Sequence, residues 1–261
     1  MVDGIVFRLL GPLEPRVGAG KRPALLALLL LAANRVVSCD RLIEELWHGD
    51  PPPSATVALQ NAVSQLRRRL GPDAIVTHLG GYELRVPPGA FDVQRFERGL
   101  ADAREAAAPE AALAHLDAAL ALWRGPALAD FAYEPFARAE AERLEELRLD
   151  ALEERIECLL ALGRQAAAIA PLQALIAEHP LRERPRAQLM RAFYADGRQA
   201  DALAVYRDAR RALIGELGLE PGAELRRLEQ AILRQQPLVA HPVLPAAPTP
   251  IVGRARERLV G

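Results

Sequence analysis

The sequence predicts a mainly α protein, with a small α+β unit at the N-terminus followed by an all-α, tetratricopeptide-like array of helix pairs. Three observations carry that prediction. Residues 1–90 alternate short strand-like runs with helical stretches, punctuated by Gly and Pro. Residues 91–236 are rich in Ala, Leu, Arg and Glu, all strong helix formers. The motif Gly163-Arg164-Gln165-Ala166-Ala167-Ala168 recurs as Gly197-Arg198-Gln199-Ala200-Asp201-Ala202, and that 34-residue period belongs to helix-pair repeats.

The elements follow in order. Residues 5–10 read as a strand closed by Gly11-Pro12, with residues 13–17 as its hairpin partner. Pro23 suits the first turn of a helix that residues 24–33 carry to about Asn34. Ser38 reads as the N-cap of a second helix, where Leu42, Ile43, Leu46 and Trp47 repeat at amphipathic spacing. Gly49 to Pro53 ends it. Ser54 or Thr56 caps a third helix with Val57, Leu59, Val63, Leu66 and Leu70 as its apolar positions, and Gly71-Pro72 stops it. Residues 75–78 and 82–86 form a hairpin around Leu79-Gly80-Gly81.

Strand, three helices and a terminal hairpin describe a winged helix-turn-helix over residues 1–90. Its third helix is the recognition element and its hairpin the wing. Gln60, Asn61, Ser64, Gln65, Arg67 and Arg68 lie off the apolar stripe, and no acidic residue occurs from Ser54 to Gly71. Amides and guanidinium groups pair with base edges or phosphates. A solvated surface helix carries the same residue types, so this helix alone leaves both readings open. Replacing Arg67 or Gln65 with Ala is expected to weaken DNA binding and leave folding intact.

Residues 91–236 form the second domain. Each Gly-Arg of the repeat falls between an apolar helix end and a new helix, with His179-Pro180 as the break between units. Residues 111–123 and 134–162 continue the pattern less regularly, and residues 223–234 form the last helix. Such arrays make grooves for protein contact; an all-α bundle with a chance repeat is the alternative. Residues 237–250 hold five prolines and no charge and read as a linker. Residues 251–261 read as the start of a truncated downstream domain.

Composition removes several function classes. The 261 residues carry 33 Lys+Arg against 34 Asp+Glu, a net charge of −1, which excludes a polycation or an acidic tail. Residues 1–90 are mildly basic and the remainder mildly acidic, so bulk charge does not mark a DNA binder. Cys39 and Cys158 are too few for a disulfide framework or a zinc site, which fits a reducing, cytoplasmic location. The apolar run at residues 24–33 is too short to span a bilayer, which takes roughly 20 residues. Gly18-Ala19-Gly20-Lys21-Arg22 lacks the upstream glycine and the Ser or Thr of a phosphate loop, and no catalytic or metal-binding spacing occurs. No enzymatic role, metal or cofactor is expected.

Several stretches are nonetheless familiar: residues 22–30, 34–38, 41–47 and 66–71, then 119–128, 140–162, 178–183 and 197–203. Across roughly residues 4–236 the chain resembles the Streptomyces antibiotic regulatory protein (SARP) family. That resemblance implies an OmpR-type winged helix followed by a bacterial transcriptional activation domain. It implies binding to direct repeats in double-stranded promoter DNA as a side-by-side dimer, and recruitment of RNA polymerase with contacts to its sigma subunit. By position, Thr56, Gln60, Asn61, Ser64, Gln65, Arg67 and Arg68 of the recognition helix become DNA contacts, with Thr77, His78 and Tyr82 of the wing. Asp50, Pro51, Pro52, Pro53 and Ser54 correspond to the polymerase-contacting loop. The family has more residues between Val17 and Lys21, so a reduced N-terminal sheet is expected. Pro250-Ile251-Val252-Gly253-Arg254 resembles the opening of the ATPase module of larger members. The competing reading is a protein-interaction scaffold or an autoinhibitory arm of a signalling ATPase.

Overall fold

The structure is a computed structural model describing residues 5–238. The Pro-rich segment beyond residue 238 and the ATPase-like tail lie outside the described residues. Helix α1 (Arg22–Leu31) has Pro at its first turn and buries Leu25, Leu26, Ala27, Leu28, Leu29 and Leu30 in succession. A helix apolar on every side belongs in the middle of a core, and that is where this run, too short to span a bilayer, lies. It ends two residues before the expected limit. Lys21 precedes it, donates from Nζ to the Leu46 carbonyl and lies 5.6 Å from the Trp47 ring centroid. The cation thus sits at the carbonyl-rich end of the next helix, a favourable place for positive charge.

Strand β1 (Val37–Ser38) leads directly into α2 (Cys39–Trp47). As expected, Ser38 caps α2, accepting the Arg41 N–H on Oγ at 3.3 Å. His48 closes α2 in the left-handed conformation, and the loop 49–54 leads to α3 (Ala55–Leu70). Strands β2 (Ile75–His78) and β3 (Gly81–Leu84) make a hairpin with a two-residue turn. The sequence reading missed β1, which adds to this hairpin to give the antiparallel order β1-β3-β2 with Val37 opposite Tyr82. Two residues carry too little periodicity to announce a strand. Their placement needs glycine at position 81, where a Cβ would stand 2.5 Å from the Val37 carbonyl oxygen.

The N-terminal hairpin expected at residues 5–17 is reduced to single bridges. Arg8 exchanges backbone hydrogen bonds with Glu14 at 2.9 and 3.1 Å, and Phe7 bridges in parallel to Phe91. Pro12 and Pro15 supply no N–H, so a longer ladder cannot form. The segment is held by the second domain instead. Leu128 N–H donates to the Leu9 carbonyl and Arg124 N–H to the Leu10 carbonyl, each at 2.8 Å.

The second domain comprises α4 (Asp92–Glu105), α5 (Pro109–Leu120), a 3-10 turn (Ala129–Phe131), α6 (Pro135–Ala161), α7 (Gln165–Glu178), α8 (Glu183–Ala195), α9 (Gln199–Leu217) and α10 (Ala223–Leu233). The repeated Gly-Arg is a structural equivalence. Gly163 and Gly197 take φ of 68° and 73° in the α6–α7 and α8–α9 turns. The following Arg164 and Arg198 amides donate to the Leu159 and Phe193 carbonyls, each at 2.8 Å. The antiparallel α4–α5 pair packs ahead of them without the motif. One continuous core joins the two domains. Among the described residues no helix is long and apolar enough to cross a membrane.

Candidate nucleic-acid interface

Helix α3 packs through Ala55, Leu59, Ala62, Val63, Leu66 and Leu70. At 3.6 residues per turn these define one face. Val57 does not belong to it, contrary to the sequence reading, and is 58% exposed. Val57, Asn61, Ser64 and Arg68 instead form the opposite stripe, spread over about 60° of the helix circumference. Thr56 and Gln60 flank that stripe and are exposed. Gln65 sits at the edge of the buried face and is half-buried. The exposed side of α3 is therefore an amide- and hydroxyl-bearing ridge, with Arg67, Arg68 and Arg69 in the last turn and no acidic residue in the first.

The three arginines do different work. Arg67 is half-buried; its Nε donates to the Ile75 carbonyl at 2.9 Å and its Nη2 to Thr77 Oγ1 at 2.7 Å. It clamps α3 to the wing, so the expectation that its removal leaves folding intact is corrected. Arg69 donates from Nη2 to the Arg16 carbonyl at 3.3 Å. Arg68 is exposed and makes no ion pair or side-chain hydrogen bond among the described residues.

On the wing, Thr77 is exposed and half-buried His78 pairs across the hairpin with Glu83, Nε2 to Oε2 at 2.7 Å. Tyr82 is only 7% exposed. Burial pushes its hydroxyl pKa up, reinforced by Cys39 and opposed by Arg67. As the central residue of the sheet its ring belongs to the core, which corrects its placement among surface contacts. Leu79 at the hairpin tip is fully exposed, a position the sequence reading treated only as a turn.

Asp50, Pro51, Pro52, Pro53 and Ser54 are all exposed at the entry to α3. The loop's first residues are fixed by Asp50 N–H on the Trp47 carbonyl at 3.0 Å, its last by Ala55 N–H on the Pro52 carbonyl at 2.9 Å. His48 lies 3.4 Å from the Glu134 carboxylate at the start of α6, so the loop borders the second domain.

A winged helix-turn-helix joined to helix pairs through a shared core defines a transcription-regulator architecture. Residues 91–233 match the family model described as bacterial transcriptional activator domain, and residues 18–84 match that of the transcriptional regulatory protein C-terminal domain. The chain belongs to the SARP family of transcriptional regulators. It is 40% identical over 245 residues to the regulatory protein DnrI of Streptomyces peucetius, covering 88% of this chain and 90% of that one. It is 42% identical over 246 residues to the regulatory protein AfsR of Streptomyces coelicolor, covering 90% of this chain. The chain spans about a quarter of the length of the AfsR relatives, 26% and 25%. The solved structure of Mycobacterium tuberculosis EmbR in complex with a low-affinity phosphopeptide superposes with a TM-score of 0.87 at 39% identity, over 90% of this chain and 66% of that one.

Proposed function

We propose that this chain is a sequence-specific DNA-binding transcriptional activator that recognises direct repeats in a promoter and recruits RNA polymerase. The observation that carries the reading is the exposed face of α3, which pairs Gln60, Asn61 and Ser64 with Arg68 and bears no carboxylate. Amides at the helix front read base edges, and the arginine near its end neutralises phosphate. Thr77 and His78 bring the wing to the adjoining backbone. Two protomers lie side by side on the repeat, which compensates for a domain of modest positive charge. The exposed loop from Asp50 to Ser54 contacts the polymerase sigma subunit, and the regulated genes form a secondary-metabolite cluster.

A mobility-shift titration on the DNA upstream of the chain's own gene cluster tests this. The expected result is a complex preferred over random DNA, with affinity falling steeply as salt rises because each phosphate contact releases counterions. Gln60→Ala with Asn61→Ala abolishes the preference while the thermal melt stays unchanged. Equal binding to promoter and random DNA at physiological salt, with a protein partner retained in a pull-down, would establish the scaffold reading instead.

A further inference from the structure

Val57 is a large apolar side chain left in water on an otherwise polar stripe. It is 58% exposed, and no buried residue packs it into the core cluster. Nothing in the fold accounts for it: an alanine here would favour the helix more, since β-branched residues lose rotamer freedom against the preceding turn. Its position is informative. Val57 is the third residue of α3, whose first residue is Ala55. In helix-turn-helix proteins the N-terminal residues of the recognition helix are the ones that reach base edges. The cations of α3 are all in its last turn, where they suit phosphates. The one apolar feature on a major-groove edge is the thymine C5-methyl group, and apolar side chains recognise it by contact.

We propose that Val57 reads a thymine methyl in the major groove of the bound promoter. Asn61, one turn further along the same stripe, faces the neighbouring base pair. The inference rests on the reading of α3 as the recognition helix and adds the identity of one base it selects. A cytosine at that position lacks the C5-methyl and leaves the isopropyl group without its apolar contact.

The test uses two versions of the promoter fragment, one made with dT and one in which dU replaces dT, so that only methyl groups are lost. The whole chain is expected to bind the dU fragment roughly fourfold more weakly per protomer, the worth of about one buried methyl. Val57→Ala should bind the dT fragment that much more weakly and lose nothing further on dU. Val57→Ile, which keeps both γ-carbons as apolar groups, should retain the discrimination, and circular dichroism should show both variants folded. A Val57→Ala variant that binds dT DNA as tightly as the unmodified chain would overturn the proposal. So would one that loses as much as the unmodified chain on going to dU. Failure of the unmodified chain to select the dT promoter over random DNA would instead overturn the DNA-binding reading itself, a distinct outcome.

Discussion

The Asp92 carboxylate accepts the backbone N–H of Leu9 on both oxygens, at 2.9 and 3.1 Å, across 83 residues of sequence. It accepts Leu10 N–H as well, at 3.0 Å. The carboxylate is 2% exposed, with Arg124 at 3.8 Å. It opens the second domain and grips the first residues of the winged-helix unit, so the two domains share a joint that neither could supply alone.

Asp92→Ala should lower the unfolding free energy by about 2–5 kcal/mol, because two buried amides lose their acceptor. Burial raises the Asp92 pKa, although the Leu9 and Leu10 amides and Arg124 pull it down. A raised folded-state pKa means that the native protein binds the proton more readily than the unfolded chain. Asp92's contribution is therefore greatest below the ordinary carboxylate range and declines as pH rises through its folded value. Urea melts of the unmodified chain and Asp92→Asn across pH 3 to 7 should show their stability difference shrinking with rising pH.

Gly81→Ala should cost about 2 kcal/mol or more, since the new methyl would meet the Val37 carbonyl oxygen at 2.5 Å and part β1 from β3. Gly80→Ala is the control: its φ is 78° with open space around it, and strain alone costs about 1 kcal/mol. Chemical denaturation gives the two values; equal losses would contradict the close approach of β1.

Arg67 and Arg68 should separate by readout. Arg67→Ala frees the Ile75 carbonyl and Thr77 hydroxyl and should lower stability by about 1–2 kcal/mol as well as loosening the wing. Arg68→Ala should leave the melting temperature in place and reduce the salt slope of DNA binding by about one. A salt slope unmoved by Arg68→Ala would remove this residue from the phosphate contacts.

Glu153 is 1% exposed and pairs with Arg182 at 2.7 Å and Arg184 at 3.2 Å, tying α6 to α8 and the turn before it. Arg182→Ala leaves a buried carboxylate with only the outer arginine and should cost about 3–5 kcal/mol. Adding Glu153→Gln should return a large part of that loss, because the buried charge is gone. A double-mutant cycle by thermal melts measures the recovery, and strictly additive losses would show that the pair is not coupled.

Elements with a repeating local pattern were legible in the sequence. The amphipathic spacing of α2, the Ser38 cap and the Gly-Arg turns of the α6–α7 and α8–α9 pairs each depend on neighbours within one or two turns. Failures came where a distant partner decides. β1 is a strand only because β3 lies beside it, and the expected N-terminal hairpin gave way to bridges because Phe91 and Asp92 offer better partners than its own proline-broken hairpin. On α3, the sequence showed which polar residue types are present but not which face each occupies. Val57 passed for core because its side chain is apolar, although its angle on the helix, fixed by Leu59 and Leu66, was the stronger signal.

By itself the sequence determined the helix-turn-helix order, the helix-pair period, the acid-free third helix and the absence of recognisable catalytic spacing, all properties of local composition and periodicity. Only the tertiary structure decided that Arg67 is a clamp and Arg68 is open to solvent, that Tyr82 is core, and that Leu9 and Leu10 belong to Asp92. Those assignments turn on which groups meet across tens of residues. Burial and hydrogen-bond partnership arise only when the chain closes on itself.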